Sequence, residues 1–149
     1  MLPNLYTWFQ KKPARRIGFE DVKYAIAHEN CFLLINTLPV SEQKCLIKST
    51  LDWNLEEQTL NEMMNQYITT SRSIIVYGRN AADVNVDKKY EQLMQLGFSD
   101  VSMYSGGLFE WILLQDIYGD AEFPTTSREL DLLKYRPSKT FDVPRLGYG

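Results

Sequence analysis

An α/β domain built on a mostly parallel central sheet is the fold class this 149-residue sequence predicts, and three observations carry it. Short apolar or β-branched runs alternate with stretches whose apolar residues recur every three or four positions. Those runs are apolar throughout, as in strands covered on both faces, and do not alternate with polar residues. The segment LFEWILLQDIYG (108–119) is apolar on every side and belongs against the interior.

Phe19, Val22 and Ile26, with Tyr24 and Ala25 beside them, give a first helix between Phe19 and Glu29. CFLLINTLP then supplies a continuous apolar run from Phe32 to Ile35, stopped before Pro39, which suits a buried parallel strand. Leu55 to Ile68 is a second helix, with Leu60, Met64, Tyr67 and Ile68 on one face. SIIVY (73–77) is the clearest strand, β-branched and bounded by Ser and Gly. The polar loop GRNAADVN leads into a helix facing inward through Val86, Tyr90, Leu93 and Met94. Asn85 is its expected N-cap, Asp87 suits its first turn and Gly97 its C′ position. Val101 to Tyr104 is a third strand, and SGG opens the interior helix. From Phe123 onward there are three prolines and one short helix candidate, Ser127 to Tyr135; the rest reads as extended. The chain divides into a basic aromatic arm (1–18), the α/β domain (19–122) and a Pro-containing basic extension (123–149).

Composition narrows the function classes. Hydrophobic residues make up 44% and charged residues 23%, which is globular. No run approaches the roughly 20 apolar residues that cross a bilayer, and the first 16 residues lack the apolar core of a signal peptide. The expected setting is therefore cytosol-like, without membrane contact. One histidine, His28, and two cysteines, Cys31 and Cys45, match no ligand or disulfide spacing, so neither metal nor cofactor is expected. Net charge is −3, unevenly spread: +4 over 1–18, −9 over 19–123 and +2 over 124–149. An acidic core disfavours nucleic acid, and the basic ends have their own core or a partner to lie on.

The stretch IIVYGRNAADVNVDKKYEQLMQLGFSDVSMYSGGLFEW resembles the second half of a rhodanese-like domain. Its elements are the strand Ile74–Tyr77, a loop from Gly78, Leu96-Gly97-Phe98 closing a helix, the strand Val101–Tyr104, and Gly106-Gly107 with Trp111. FEDVKYAIAHENCFLLIN is similar, more weakly, to the family's opening helix and strand. The resemblance implies a three-layer fold around the central sheet, with terminal arms added. It also implies sulfurtransferase chemistry, or phosphatase chemistry in related proteins, through a loop cysteine held as thiolate by backbone N–H groups and a helix dipole.

This sequence departs from that pattern at the chemical position. Gly78 stands where the cysteine belongs, and neither Cys31 nor Cys45 is loop-equivalent; both read as small buried or half-buried thiols. Asn36-Thr37-Leu38 replaces an Asp-x-Arg pattern, and the loop holds Asp83, whose carboxylate competes for the N–H groups that would hold an anion. The loop Gly78, Arg79, Asn80, Ala81, Ala82, Asp83 therefore reads as catalytically silent, sealed by Asp83 or Asn85, and no catalytic residue is assigned. The expected role is protein binding or assembly. The alternative is a sensor or enzyme that uses the loop Gly78–Asp83 as an anion cradle for a phosphate or sulfate ester, formed by N–H groups of Gly78 to Ala82 with Arg79 as a bidentate donor.

Contact regions are expected in the arms, because disordered tails are usually poor in aromatics. The first arm offers Tyr6, Trp8 and Phe9; the second offers Phe123, Leu132, Leu133, Tyr135, Phe141 and Tyr148. These residues would lie on their own core, on a second copy or on another protein. GGLFEWILLQDIYGDAEFPTT is similar to rhodanese-like proteins encoded by large DNA viruses and algae, which implies infected-cell cytoplasm or a virion as the alternative location.

Overall fold

The structure, a computed structural model, describes residues 13–69 and 71–144. Its elements run β1 (Arg16–Ile17), α1 (Phe19–Ala27), β2 (Phe32–Asn36), α2 (Trp53–Asn65), β3 (Ser73–Tyr77), α3 (Val84–Gln95), β4 (Val101–Tyr104) and α4 (Gly107–Tyr118). Single 3-10 turns lie at Val40–Glu42 and Leu132–Tyr135. The four strands form one sheet in the order β1-β4-β3-β2, and every pair is parallel. Each strand returns through a helix, which is what parallel pairing requires.

Side chains alternate across that sheet with the two-residue period of a strand. Leu34, Ile75, Tyr77 and Tyr104 face one layer, where α1 and α4 bury Val22, Ala25, Leu108, Trp111 and Ile112 against them. Leu33, Ile35, Ile74, Val76, Val101 and Met103 face the other, against Leu60 and Met63 of α2 and Val86 and Leu93 of α3. Both faces are covered, so the strands carry continuous apolar runs. The three-layer α/β class predicted from the sequence is the class observed, with the sheet wholly parallel.

Several boundaries differ from expectation. α2 begins at Trp53, capped by Asp52, and stops at Asn65. Tyr67 adopts φ 56°, Ile68 N–H donates to Met63 O (2.9 Å) and Tyr67 N–H to Met64 O (3.1 Å), a Schellman stop with tyrosine at C′. Tyr67 and Ile68 are therefore exposed, and Met63 is the deeply buried partner of Leu60. α3 starts earlier than expected, with Asp83 and not Asn85 as N-cap; Gly97 does take C′, at φ 101°. Met94 is exposed and Tyr90 half-buried. α4 is interior on one face only, for Leu113, Ile117 and Tyr118 are exposed.

The arms also fall differently. Arg16–Ile17, placed in the N-terminal arm, is a strand of the sheet, and Arg15 and Arg16 pair with Asp100 and Asp87 of the domain. The extension lies on its own core from Phe123 to Tyr135, where both rings are almost fully buried. There Pro124 O accepts from Lys48 N–H (3.1 Å) and Trp111 Nε1 (3.1 Å), and Thr126 N–H donates to Leu46 O (2.8 Å). The expected helix at Ser127–Tyr135 shrinks to one 3-10 turn, Leu132–Tyr135, capped by Asp131.

Candidate functional site

Parallel strands gather their carboxyl ends along one edge of a sheet, and open α/β folds place ligands there. At that edge β3 ends at Tyr77 and the loop Gly78–Asp83 carries the chain into α3. Gly78 is buried. A Cβ built on it would stand 2.7 Å from Val86 Cγ2 and 2.8 Å from Thr37 Oγ1, and directly against Asp83 Oδ2. The space a side chain at position 78 would enter is filled by the Asp83 carboxylate.

Asp83 is held in that place by the groups that would otherwise receive an anion. Its Oδ2 accepts from Arg79 N–H (3.1 Å) and from Thr37 Oγ1 (3.4 Å), and its Oδ1 accepts from Asn85 N–H (3.0 Å). Asn80 engages two further N–H groups: its Oδ1 accepts from Ala82 (2.9 Å) and its carbonyl from Asp83 (3.2 Å). The sequence expectation left the seal to Asp83 or Asn85; Asp83 provides it, and Asn85 contributes only its backbone N–H.

Two other elements close around the loop. Leu108 and Phe109, in the first turn of α4, donate their N–H groups to the carbonyls of Gly78 (2.9 Å) and Arg79 (2.8 Å). Gly107 makes this approach possible: its φ is 65°, and a Cβ there would lie 2.7 Å from Gly78 O. The extension covers the outer side. Arg79 Nη2 donates to Lys134 O (2.6 Å) and its Nη1 pairs with Glu42 Oε2 at 3.4 Å, while Asn80 Nδ2 donates to Tyr135 O (2.8 Å). Ala81 and Ala82 stay exposed at the tip.

Neither cysteine reaches this loop. Cys31 is exposed and precedes β2, at the opposite end of the sheet, which corrects its reading as a buried or half-buried thiol. Cys45 is buried beneath the extension, its Sγ 3.3 Å from Ser127 O, and burial pushes its thiol above the ordinary range. That shift disfavours the thiolate a nucleophile needs. Burial likewise raises the Tyr77 and Tyr104 phenols; the Tyr104 hydroxyl donates to Glu110 Oε1 (2.7 Å), and that carboxylate adds to its shift. Among the described residues, no three His, Cys, Asp or Glu side chains gather as a metal site. No helix of the described residues is long and apolar enough to cross a membrane.

The arm residues separate into three groups. Phe123 and Tyr135 are core residues of the protein itself, not accessible contact groups. Leu132 and Leu133 are half-buried, Leu132 packing against the same core, and Phe141 is 79% exposed. Tyr6, Trp8, Phe9 and Tyr148 lie outside the described residues. The sequence reading missed Thr37, Glu42 and the backbone of Lys134–Tyr135 as neighbours of the loop. Thr37 alone had a signal, since it follows directly on β2 beside β3.

No protein-family model matches the chain, and no curated protein matches it. Solved structures do. The BH2092 protein from Bacillus halodurans is similar at 21% identity and a TM-score of 0.55, over 75% of this chain and 81% of that one. A single domain sulfurtransferase of Saccharomyces cerevisiae, RDL2, is similar at 17% identity and a TM-score of 0.51, over 72% of this chain and 96% of its own. The Alr3790 protein from Anabaena is similar at 22% identity and 0.51, over 66% and 86%. With these likenesses, the four parallel strands and their flanking helices define a rhodanese-like fold.

Proposed function

We propose that the protein is a non-catalytic rhodanese-like module that works by binding a protein or a second copy of itself. The observation that carries this reading is the Asp83 carboxylate lodged beside Gly78. It takes the N–H groups of Arg79 and Asn85, and it stands where a nucleophile at position 78 would project. A sulfurtransferase or phosphatase of this fold needs a thiolate facing converging N–H donors. The loop offers glycine and a fixed negative charge. The same carboxylate counts against the anion-cradle alternative, since a phosphate or sulfate ester would have to displace it and the Arg79 and Asn80 contacts to the extension.

The contact region we assign is the distal part of each arm, because the proximal parts belong to the core. It comprises Tyr6, Trp8 and Phe9 at one end, and Phe141 with Tyr148 at the other. Two free cysteines support a reducing, cytosol-like location; a viral or algal kinship would make that infected-cell cytoplasm or a virion.

The test has two parts. Thiosulfate-to-cyanide sulfur transfer and aryl phosphate hydrolysis by the full chain should not exceed the blank; protein-dependent turnover in either would overturn the non-catalytic reading. Sedimentation velocity of the full chain and of a chain lacking 137–149 should show self-association only in the former. Equal behaviour would remove the second arm from the binding surface.

A further inference from the structure

A second cleft opens at the same edge of the sheet, beyond the end of β2, and none of residues 78–83 lines it. Its volume is about 490 Å³, within the range of small-ligand sites. One wall is α3, which presents Asn85, Lys88, Lys89 and Gln92, spaced i, i+3, i+4, i+7 and so forming a single polar stripe. Trp53, at the first position of α2, and Val40 line the cleft as well.

Three features of this cleft point to a ligand. The Trp53 ring is 44% exposed, although the core lacks no aromatic surface and α2 already packs through Leu60 and Met63. Lys89 pairs with Glu56 at 3.0 Å, whereas Lys88 forms no ion pair among the described residues, so the wall keeps one uncompensated positive charge in an otherwise acidic domain. Also lining the cleft, buried Asn36 and half-buried Gln43 exchange hydrogen bonds of 3.1 and 2.8 Å, and Asn36 Oδ1 also accepts from Leu38 N–H (3.0 Å), which fixes their amides in place.

We infer that this cleft binds a small planar anion, a ring that stacks on Trp53 and a phosphate that meets Lys88, as in a purine mononucleotide. An indole face accepts any heteroaromatic ring, and the side-chain amides of Asn85 and Gln92, which line the cleft, supply donors and acceptors for its edge. A polymer does not fit: the domain's net negative charge repels a phosphate backbone, and the cleft has room for one nucleotide-sized group.

The test uses the full chain with AMP, adenosine and inorganic phosphate as probes, followed by calorimetry and by the shift of the Trp53 indole N–H resonance. AMP should bind at sub-millimolar concentration and move that resonance; adenosine should bind roughly tenfold more weakly, and phosphate weaker still. Trp53→Ala and Lys88→Glu should each weaken AMP binding by roughly tenfold. Both side chains are substantially exposed, so the melting midpoints of the two variants should stay near that of the parent, and this confirms that the loss is local. Absence of AMP binding at millimolar concentration, phosphate binding as well as AMP, or unchanged affinity in Trp53→Ala would overturn the assignment. None of these outcomes bears on the loop after β3, whose reading stands or falls on the turnover assays.

Discussion

Replacing Gly78 by cysteine places a thiol at the end of β3, and the structure says what its Cβ would meet. Its Cβ would fall against Asp83 Oδ2 and within 2.7–2.8 Å of Val86 Cγ2 and Thr37 Oγ1. Asp83 can rotate away, but it then gives up the N–H groups of Asn85 and Arg79. Loss of an N-cap costs about 0.5–2 kcal/mol. Val86 is 5% exposed on α3 and cannot yield without moving the helix, and overpacking of this kind costs about 1–3 kcal/mol. Together these give about 1.5–5 kcal/mol, which for a chain of this length lowers the melting midpoint by about 5–15 °C. Thermal unfolding of Gly78→Cys followed by circular dichroism measures the drop. A parallel thiosulfate-to-cyanide assay should stay at the blank, because the donors are not aimed at sulfur. Adding Asp83→Ala should relieve the carboxylate clash yet leave the Val86 contact, so the double variant should not recover fully. A single variant that melts with the parent and transfers sulfur would show a preformed loop and refute the reasoning.

Trp111→Ala should cost about 3–5 kcal/mol in denaturant unfolding, since the ring is fully buried between Tyr104 and Phe123 and its Nε1 donates to Pro124 O. Deleting 124–149 should lower the melting midpoint by roughly 10 °C or more, through loss of Tyr135 burial and the bonds to Leu46 and Lys48, whereas deleting 137–149 should leave it unchanged. Stability should fall at alkaline pH: burial raises the Cys45 thiol and the Tyr77, Tyr104 and Tyr135 phenols above their ordinary values, so the folded state keeps four protons that the unfolded chain releases from about pH 9–10 upward. That stability is fully present below this range and is lost above it at about 1.4 kcal/mol per pH unit for each group, and Tyr77→Phe should lower the slope measured by urea titration at pH 9–11 by no more than one group's share.

The sequence carried the layers of this fold more clearly than their ends. SIIVY and FLLI announced strands because both faces of the sheet are covered, so burial wrote itself into consecutive residues. Gly97 marked the end of α3 because a φ of 101° suits little else. α2 gave no such mark: a tyrosine sits in the left-handed position, and helical periodicity runs on past it to Ile68. Arg16–Ile17 was invisible as a strand, since two residues have no period and one is charged. In α4 the average hydropathy of LFEWILLQDIYG overrode its geometry, and only the structure separates buried Trp111, Ile112 and Gln115 from exposed Leu113, Ile117 and Tyr118.

At the candidate site the legible part was a substitution and the illegible part was a set of partners. Gly78 and Asp83 can be read from the loop alone, and a carboxylate within reach of a helix N-terminus has an evident destination. What decides the arrangement is that Asp83 satisfies Asn85 as a cap and Arg79 as a loop donor at once, which Asn85 as the cap could not do from two residues further along. Arg79 illustrates the converse. In the sequence it is a spare cation beside a glycine, available to an anion. In the structure its guanidinium reaches Lys134 O and Glu42, groups 55 and 37 residues away that no spacing rule connects to it. The charge that made the loop look receptive is the one that fastens the extension over it. An anion competing for Arg79 would therefore have to loosen a segment whose Tyr135 ring is in the core. That coupling makes the loop a structural joint between β3, α4 and the extension.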